Sequence, residues 1–475
     1  MPNVWSTTKP MARELPISKV AGRIITSQFR KSYFRFCTSH PVLGVLMVPP
    51  SIWGQFFFNL RSLLRLRRQV QLRLQKPRKI RIAFWADTLD EVNGIANNIR
   101  LTVRTQREKG RGAHLWGAVT RHRDHGHVEN SSVILFPLAF GMPQLGYPDS
   151  ELATPHLGPI LRWMIRYTPD VVELQTPNPG SWVMLFICKL VGIPVISHYR
   201  TDANGYTRML VQSRFMHWYV GALIKIFSRV STPIVTPSKD FSRIVVEEMG
   251  VKPSQVKQLP RGIDLANFSP ALRNQLHWDG HSQTKRPIRF LFAGRVSVEK
   301  SLPFLVQLWK EFRTENQDCE LFIVGHGPYL EEMKSLLKNC PDVVFTGQLS
   351  GTPLYALFAD ADYFVFPSGN DTFGNVVVES LASGTPALLA DRGGPKDIVE
   401  GTDCGIILPF LDHLAWKSAL HQVAQAKSQD PEAYQALRQR CHLHAQNFSL
   451  SSACDAQWEF LSSLARNPNQ LSNVP

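Results

Sequence analysis

Ile288-Arg-Phe-Leu-Phe-Ala-Gly-Arg295 starts a pattern that the chain has already run once, from Lys79-Ile-Arg-Ile-Ala-Phe-Trp85. In both places a short, mostly apolar run leads into a glycine-containing loop and then into a stretch with helical spacing. Runs this short and this apolar are buried on both faces, which is how parallel strands covered by helices read. The series continues at 113–119, 132–136, 169–174, 194–198 and 234–238 in the first half. In the second half it continues at 320–325, 343–347, 361–366 and 387–390. The expected fold class is therefore α/β, with two doubly wound domains facing across a cleft and a basic N-terminal arm before them. The expected boundaries are an arm over 1–78, a first domain over 79–268, a polar linker over 269–286, a second domain over 287–445, and a last amphipathic helix and tail over 446–475.

Charge separates the arm from the body. Residues 1–80 hold fifteen Lys or Arg and one acid, Glu14, so they carry +14 of the formal +15 of the 475-residue chain. The remainder is near neutral, which removes the basic excess that nucleic-acid binding by the body would need. Within the arm, 1–39 is rich in Ser, Thr and Arg and has no periodicity, a composition shared with organelle transit peptides. Residues 41–60 carry no charge, but Pro49-Pro50, Ser51, Gln55 and Asn59 argue against a clean spanning helix. Residues 61–73 interleave leucine and arginine at helical spacing. Such a helix suits an anionic membrane surface, apolar side down, and the alternative is a helix packed on the protein itself. Seven scattered cysteines with no C-x-x-C point to buried thiols in a reducing compartment, not to a disulfide framework or a zinc site.

The stretch 366–394, Phe366-Pro-Ser-Gly-Asn-Asp-Thr-Phe-Gly-Asn375 and onward, holds a polar loop, a helix from about Asn375 to Ala382, a Gly384-Thr385-Pro386 stop and a short strand. Asp371 lies before that helix, Glu379 lies on it, and Gly374 sits between them. Free N–H groups at a helix start favour an anion. Two readings stay open from these residues: a cradle for a nucleotide diphosphate with a carboxylate at each end, or an ordinary loop–helix–strand unit with two solvated acids. Arg295 and Lys300 flank the turn after the second opening strand and suit a pyrophosphate, or else form a surface pair with Glu299. Asn93-Gly94 occupies the matching loop of the first domain, where such folds bind ligands, although it can equally be a simple turn. His198, Arg200 and Asp202 leave the end of a strand at a ligand-facing rim. Gly325-His326-Gly327 is not a G-x-G-x-x-G fingerprint, which counts against an NAD enzyme. The run from Arg121 to His127 admits a metal reading but has the mixed charge of a solvated loop.

Taken together and in order, Asn93-Gly94, Arg261-Gly262-Ile263-Asp264, Gly294-Arg295 with Glu299-Lys300, and Asp371 seven residues ahead of Glu379 followed by Ser383-Gly384-Thr385-Pro386 resemble the group 1 retaining glycosyltransferases of GT-B architecture. The resemblance covers 79–465 and excludes the arm. It implies that Arg295 and Lys300 bind the donor diphosphate with backbone N–H groups near Gly374, Asn375 and Val376, and that Asn93 and Gly94 line the donor side of the cleft. It further implies that Glu379 holds the ribose hydroxyls and Asp371 contacts the transferred sugar. No cofactor and no metal are required in such enzymes; the partners are a nucleotide-sugar donor and a lipid or glycan acceptor. The family often has Tyr-His-Thr where this chain has Tyr199-Arg200-Thr201, so Arg200 and His198 are both candidates for approach to the reacting carbon. Asp371 stands where the family has a glutamate. The branch most resembled contains lipid-directed mannosyltransferases and sulfoquinovosyl-diacylglycerol synthases. The implied setting is cytoplasmic and peripheral to the inner face of a membrane, with the arm on its anionic surface.

Overall fold

The computed structural model of the chain describes residues 55–56, 58–74, 78–87, 89, 94–118, 133–144, 147–199, 214–273, 288–316 and 318–466. The first domain opens with β1 (Arg81–Ala86), β2 (Gly112–Ala118) and β3 (Val133–Phe136). An antiparallel hairpin of β4 (Leu138–Gln144) and β5 (Tyr147–Pro155) follows, then β6 (Val171–Leu174), β7 (Val195–His198), β8 (Ile234–Thr236) and β9 (Val256–Gln258). Seven of these pair in parallel in the order β3-β2-β1-β6-β7-β8-β9. The second domain holds β10 (Ile288–Ala293), β11 (Cys319–Val324), β12 (Val343–Gly347), β13 (Tyr363–Phe366), β14 (Ala387–Ala390) and β15 (Gly405–Leu408), all parallel, in the order β12-β11-β10-β13-β14-β15. The expected α/β class with two doubly wound sheets is what the chain forms.

In both sheets the order reverses after the opening strand, between β1 and β6 and between β10 and β13. An aspartate staples each of these junctions at its amino end. Asp170 Oδ2 accepts the Arg81 N–H at 2.9 Å while its own N–H donates to Arg81 O at 2.7 Å. Asp362 repeats this on Arg289, at 2.9 and 2.8 Å. Both carboxylates are buried, and each is met by two cations: Asp170 by Arg73 and Arg78, Asp362 by Arg273 and Lys427. A buried carboxylate is tolerable only when paired and hydrogen-bonded in this way.

Helices cover both sheets. Ser238 accepts the Phe241 N–H at 3.3 Å and caps Lys239–Glu247, as its side-chain oxygen leads one to expect. Near the end of the second domain two helices follow each other, His413–Gln429 and Pro431–Ala445. Pro431 cannot continue the first, and Asp430 caps the second through the Ala433 N–H. The final helix, Leu450–Arg466, packs on the first domain, where Leu461, Leu464 and Ala465 join a core with Phe84, Leu115 and Val171.

The basic helix is Leu60–Leu74. Its buried side chains are Leu63, Leu66 and Val70, and Val70 and Arg73 share a crevice with Thr168, Pro169, Asp170, Ile193 and Pro194. This corrects the expectation that its apolar side lies on a membrane, because the protein itself takes up that side. The outward side carries Arg61, Arg65, Arg67 and Arg68 with Leu64 and Leu72. The uncharged run over 41–60 lies outside the described residues at 41–54 and 57. Among the described residues no helix is long and apolar enough to cross a membrane.

Asp362→Ala is expected to lower the unfolding free energy by about 3 kcal/mol, since it strands two cations at a buried strand junction. Arg243→Ala, which removes only an exposed side chain and its long contact to Asp240, is expected to cost less than about 1 kcal/mol. Denaturant midpoints of the two variants measure the difference.

Candidate active site

Lys300 follows β10 and Asp371 follows β13, so the two loops meet outside the carboxyl ends of the strands where the second sheet reverses. That crevice is where open α/β sheets bind ligands. Lys300 Nζ lies 2.7 Å from both Asp371 carboxylate oxygens and over the Phe366 ring. Its partner is thus Asp371 and not Glu299, the surface partner considered from the sequence. Arg295 is exposed on the same loop, and its side chain makes no ion pair among the described residues.

Helix Asn375–Ala382 begins beside this pair. Gly374 precedes it with φ of +93°, and a Cβ there would lie 2.9 Å from Pro395, so only glycine fits the turn. The Val377 N–H is bonded back to Gly374 O at 3.0 Å, while the first-turn amides of Asn375 and Val376 have no carbonyl a turn earlier to bond. Ser368 Oγ and Asn375 Oδ1 are buried without a hydrogen-bond partner among the described residues, and such atoms call for a partner that the protein does not supply. An anion entering here would meet Lys300, Arg295 and the helix start together.

Glu379 sits one turn further along the helix. Burial pushes its carboxyl up to about 7, and the Arg261 charge opposes that shift. Arg261 comes from the first domain's closing segment, so Arg261-Gly262-Ile263-Asp264 bears directly on the second domain. Gly262 in that motif is a packing residue, because a Cβ would meet the Leu450 Cα at 2.8 Å.

The first domain contributes His198 at the end of β7. His198 Nε2 lies 2.6 Å from Glu173 Oε1, and His198 lines a cavity with Thr236, Arg261, Gly262, Thr372 and Gln457. Thr372 belongs to the second domain, so His198 and the Asp371 loop border one space. The structure thus brings Asp371, Lys300, Gly374, Asn375, Val376 and Glu379 together, with Arg295 on the adjoining loop. Gly94 starts the helix Gly94–Glu108 at the carboxyl end of the first sheet. Asn93 and Arg200 lie outside the described residues, as do Asp202 and the run from Arg121 to His127. Among the described residues no group of His, Cys, Asp and Glu is placed to hold a metal ion.

Other groups at the cleft gave no signal in the sequence. Asp240 accepts the Gly393 N–H at 3.0 Å and pairs with Lys396 at 3.1 Å, and Gly394 donates to Asp371 O at 2.8 Å. A first-domain helix therefore braces the Asp371 loop. Asp87, after β1, is fully buried and accepts from Trp85 Nε1, Ser181 N and Ser181 Oγ. Burial raises its carboxyl to about 7 against those hydrogen bonds.

Two family models match the chain: "Glycosyltransferase Family 4" over residues 92–267 and "Glycosyl transferases group 1" over residues 287–426. They follow each other along the two domains and together span about two thirds of the chain. The chain belongs to the group 1 glycosyltransferases. It is 27% identical to a sulfoquinovosyl transferase of Arabidopsis thaliana over 69% of this chain and 62% of that one, so it spans less than two thirds of that relative. It is 28% identical to a GDP-mannose-dependent alpha-mannosyltransferase of Mycolicibacterium smegmatis, over 69% of this chain and 84% of the relative. It is 26% identical to an alpha-monoglucosyldiacylglycerol synthase of Streptococcus pneumoniae, over 65% and 70%. Among solved structures, sucrose-phosphate synthase from Thermosynechococcus elongatus matches with a TM-score of 0.64 at 18% identity, covering 81% of this chain and 99% of that one. HepE of Anabaena in complex with UDP matches with a TM-score of 0.64 at 16% identity, covering 81% and 100%. The architecture of this group 1 transferase is therefore GT-B.

Between about pH 4.5 and pH 7 the folded protein holds a proton on Glu379 that the unfolded chain releases, so this group's contribution weakens stability as pH rises through that window. Asp87 acts in the same direction. Glu379→Gln is expected to shrink the loss of stability between about pH 5 and about pH 8 without abolishing it, since Asp87 remains. Denaturant midpoints at the two pH values read this.

Proposed function

We propose that this glycosyltransferase moves a hexose, with retention of configuration, from a nucleotide diphosphate sugar to a lipid or lipid-linked acceptor at a membrane surface. The observation that carries the donor half is the Lys300–Asp371 pair set against the start of helix Asn375–Ala382. A part-exposed ion pair contributes little stability, so its lysine can change partners at small cost. When a diphosphate enters, Lys300 turns from Asp371 to the phosphate oxygens, Arg295 grips from the loop, and the amides of Asn375 and Val376 close the other side. Cations fixed at the leaving diphosphate stabilise the charge that builds as the glycosidic bond breaks. The same exchange releases Asp371 to accept hydrogen bonds from hydroxyls of the transferred sugar. Glu379 receives the ribose hydroxyls, and His198 faces the reacting sugar from the first domain, with Arg200 on the following segment and Asn93 and Gly94 on the β1 loop. No metal is assigned a part in this scheme.

The acceptor half rests on the relatives and on the arm. One relative's name specifies a diacylglycerol product, and Leu60–Leu74 turns four arginines and three leucines, Leu60, Leu64 and Leu72, outward. Arginines beside exposed leucines suit an anionic surface. We take this face, rather than the packed one, as the membrane contact, with the protein peripheral to the cytoplasmic side of a membrane. A transferase building a soluble glycan, or a module that binds a nucleotide sugar without turnover, is the competing reading.

The first test is a thermal-shift panel of UDP-, GDP- and ADP-sugars followed by turnover with diacylglycerol in mixed vesicles. One donor is expected to raise the melting temperature. Lys300→Ala and Glu379→Ala are expected to cut transfer at least about 100-fold with circular dichroism unchanged; full activity in both would falsify the site.

The arm is tested without deleting it, because removing 1–78 would also strip Arg73 and Arg78 from buried Asp170. Replacing Arg61, Arg65, Arg67 and Arg68 by Gln is expected to weaken pelleting with phosphatidylglycerol vesicles by about 10-fold or more at an unchanged melting temperature. Undiminished pelleting would remove the surface contact.

A further inference from the structure

β6 reads Val-Val-Glu-Leu, and all four residues are buried. Glu173 is an acid in the middle of an apolar sheet, with none of its surface exposed. Among the described residues, three side chains meet its carboxylate. Gln175 Nε2 donates to Oε1 at 2.7 Å, Gln457 Nε2 donates to the two oxygens at 2.8 and 3.1 Å, and His198 Nε2 stands 2.6 Å from Oε1. Burying a carboxylate costs several kcal/mol unless it is paired and hydrogen-bonded, so the cluster is held by its own complementarity. Gln457 belongs to the last helix, Leu450–Arg466, and reaches the sheet from almost the other end of the chain. The last helix and the end of β7 thus converge with β6 on one carboxylate beside the cleft.

We propose that Glu173 and Gln457 are positioning residues for the transfer reaction, holding His198 at the wall of the cleft and governing whether its ring carries a charge there. The inference rests on the glycosyltransferase reading above and adds two residues that no motif contains. Glu173 supplies an anion 2.6 Å from the imidazole Nε2. The Gln457 amide, by donating to both oxygens, fixes the plane of that carboxylate and tempers its charge. The last helix is thereby part of the site as well as a strap across the first domain. Its seat on that domain is secured separately, by Gln106 on Cys454 O and by Lys109 and Arg111 on Asp455.

The other charged or titratable groups that line the cavity with His198 are Arg261, after β9, and Cys454, on the last helix. Arg261 faces Glu379 of the second domain. Burial raises the Cys454 thiol to about 11, with smaller effects of the Lys109, Arg111, Asp455 and Glu173 charges, so it stays neutral near pH 7. Among the described residues, Glu173 is the anion found against the ring, and Arg261 is the cation that lines the cavity with it.

The experiment uses the full chain labelled with 13C-histidine and titrated by NMR, with the resonance lost in His198→Asn marking the ring. Glu173→Gln removes the anion and is expected to move the ring's midpoint down by about half a pH unit or more. Gln457→Met removes a hydrogen bond that competes for the carboxylate and is expected to move the midpoint up. Glu173→Asp, which keeps the charge, is expected to restore the direction seen in the unsubstituted chain. With the donor found by the panel, the acid limb of kcat/KM is expected to follow the ring in each variant while donor KM stays within about two-fold. A midpoint that stays put, or a limb that ignores a moved midpoint, overturns the inference. If Glu173→Gln does not fold, the upward shift in Gln457→Met decides alone. A chain that binds and turns over no donor is a failure of the functional reading instead, and the NMR titration still decides whether Glu173 governs the ring.

Discussion

Two buried aspartates organise this molecule. Asp170 and Asp362 sit one residue ahead of β6 and β13, where each sheet reverses its order, and each exchanges two backbone hydrogen bonds with the opening strand of its domain. Without those bonds the strand pairs would be held only at their apolar middles. The cations that neutralise them come from elsewhere in the chain: Arg73 and Arg78 from the arm, Arg273 from the interdomain segment, Lys427 from a late helix. Each domain is therefore closed by a segment outside its own sheet. At the opposite, carboxyl ends of the same strands lie the Lys300–Asp371 pair in one domain and Asp87 in the other. The staple at one end fixes the spacing at which the loops leave the other.

The two carboxyl-end sites differ in what they leave available. Asp87 is satisfied by Trp85 and Ser181 and is sealed within the first domain. Among the described residues the Asp371 carboxylate is met only by a lysine that can leave, next to two buried polar atoms without a partner there and a helix start. One switch point has become structure and the other remains open to a ligand. Bracing from the first domain completes it: Asp240 holds the Gly393 amide and Lys396, Arg261 faces Glu379, and the last helix returns Gln457 to Glu173.

Much of this was legible in the residues. The short apolar runs gave most of the strands because parallel strands buried on both faces tolerate almost nothing polar, and the ordered motifs led to Lys300, Asp371, Gly374 and Glu379 because local loop chemistry places them. The exceptions have physical causes. β4 and β5 were missed because Leu138–Gln144 and Tyr147–Pro155 carry prolines and no alternation, so pairing rather than propensity makes them strands. The break at Asp430-Pro431 divides what helical spacing alone would run together. Leu60–Leu74 shows leucine on both faces, and no periodicity says which face the protein will claim.

The amino-acid sequence by itself determined the class of fold, the order of its two halves and the residues of the donor loop, because each depends on spacing within a few turns of chain. Tertiary structure alone decided the partners. That Lys300 faces Asp371 rather than Glu299, that Arg261 reaches Glu379, and that Glu173 lies between His198 and Gln457 are contacts across 71, 118, 25 and 284 positions. A charge has no periodicity to betray its partner. A single chain records that Glu173 must be neutralised or bonded once it is buried, and only the packing of the last helix onto the first sheet shows by whom.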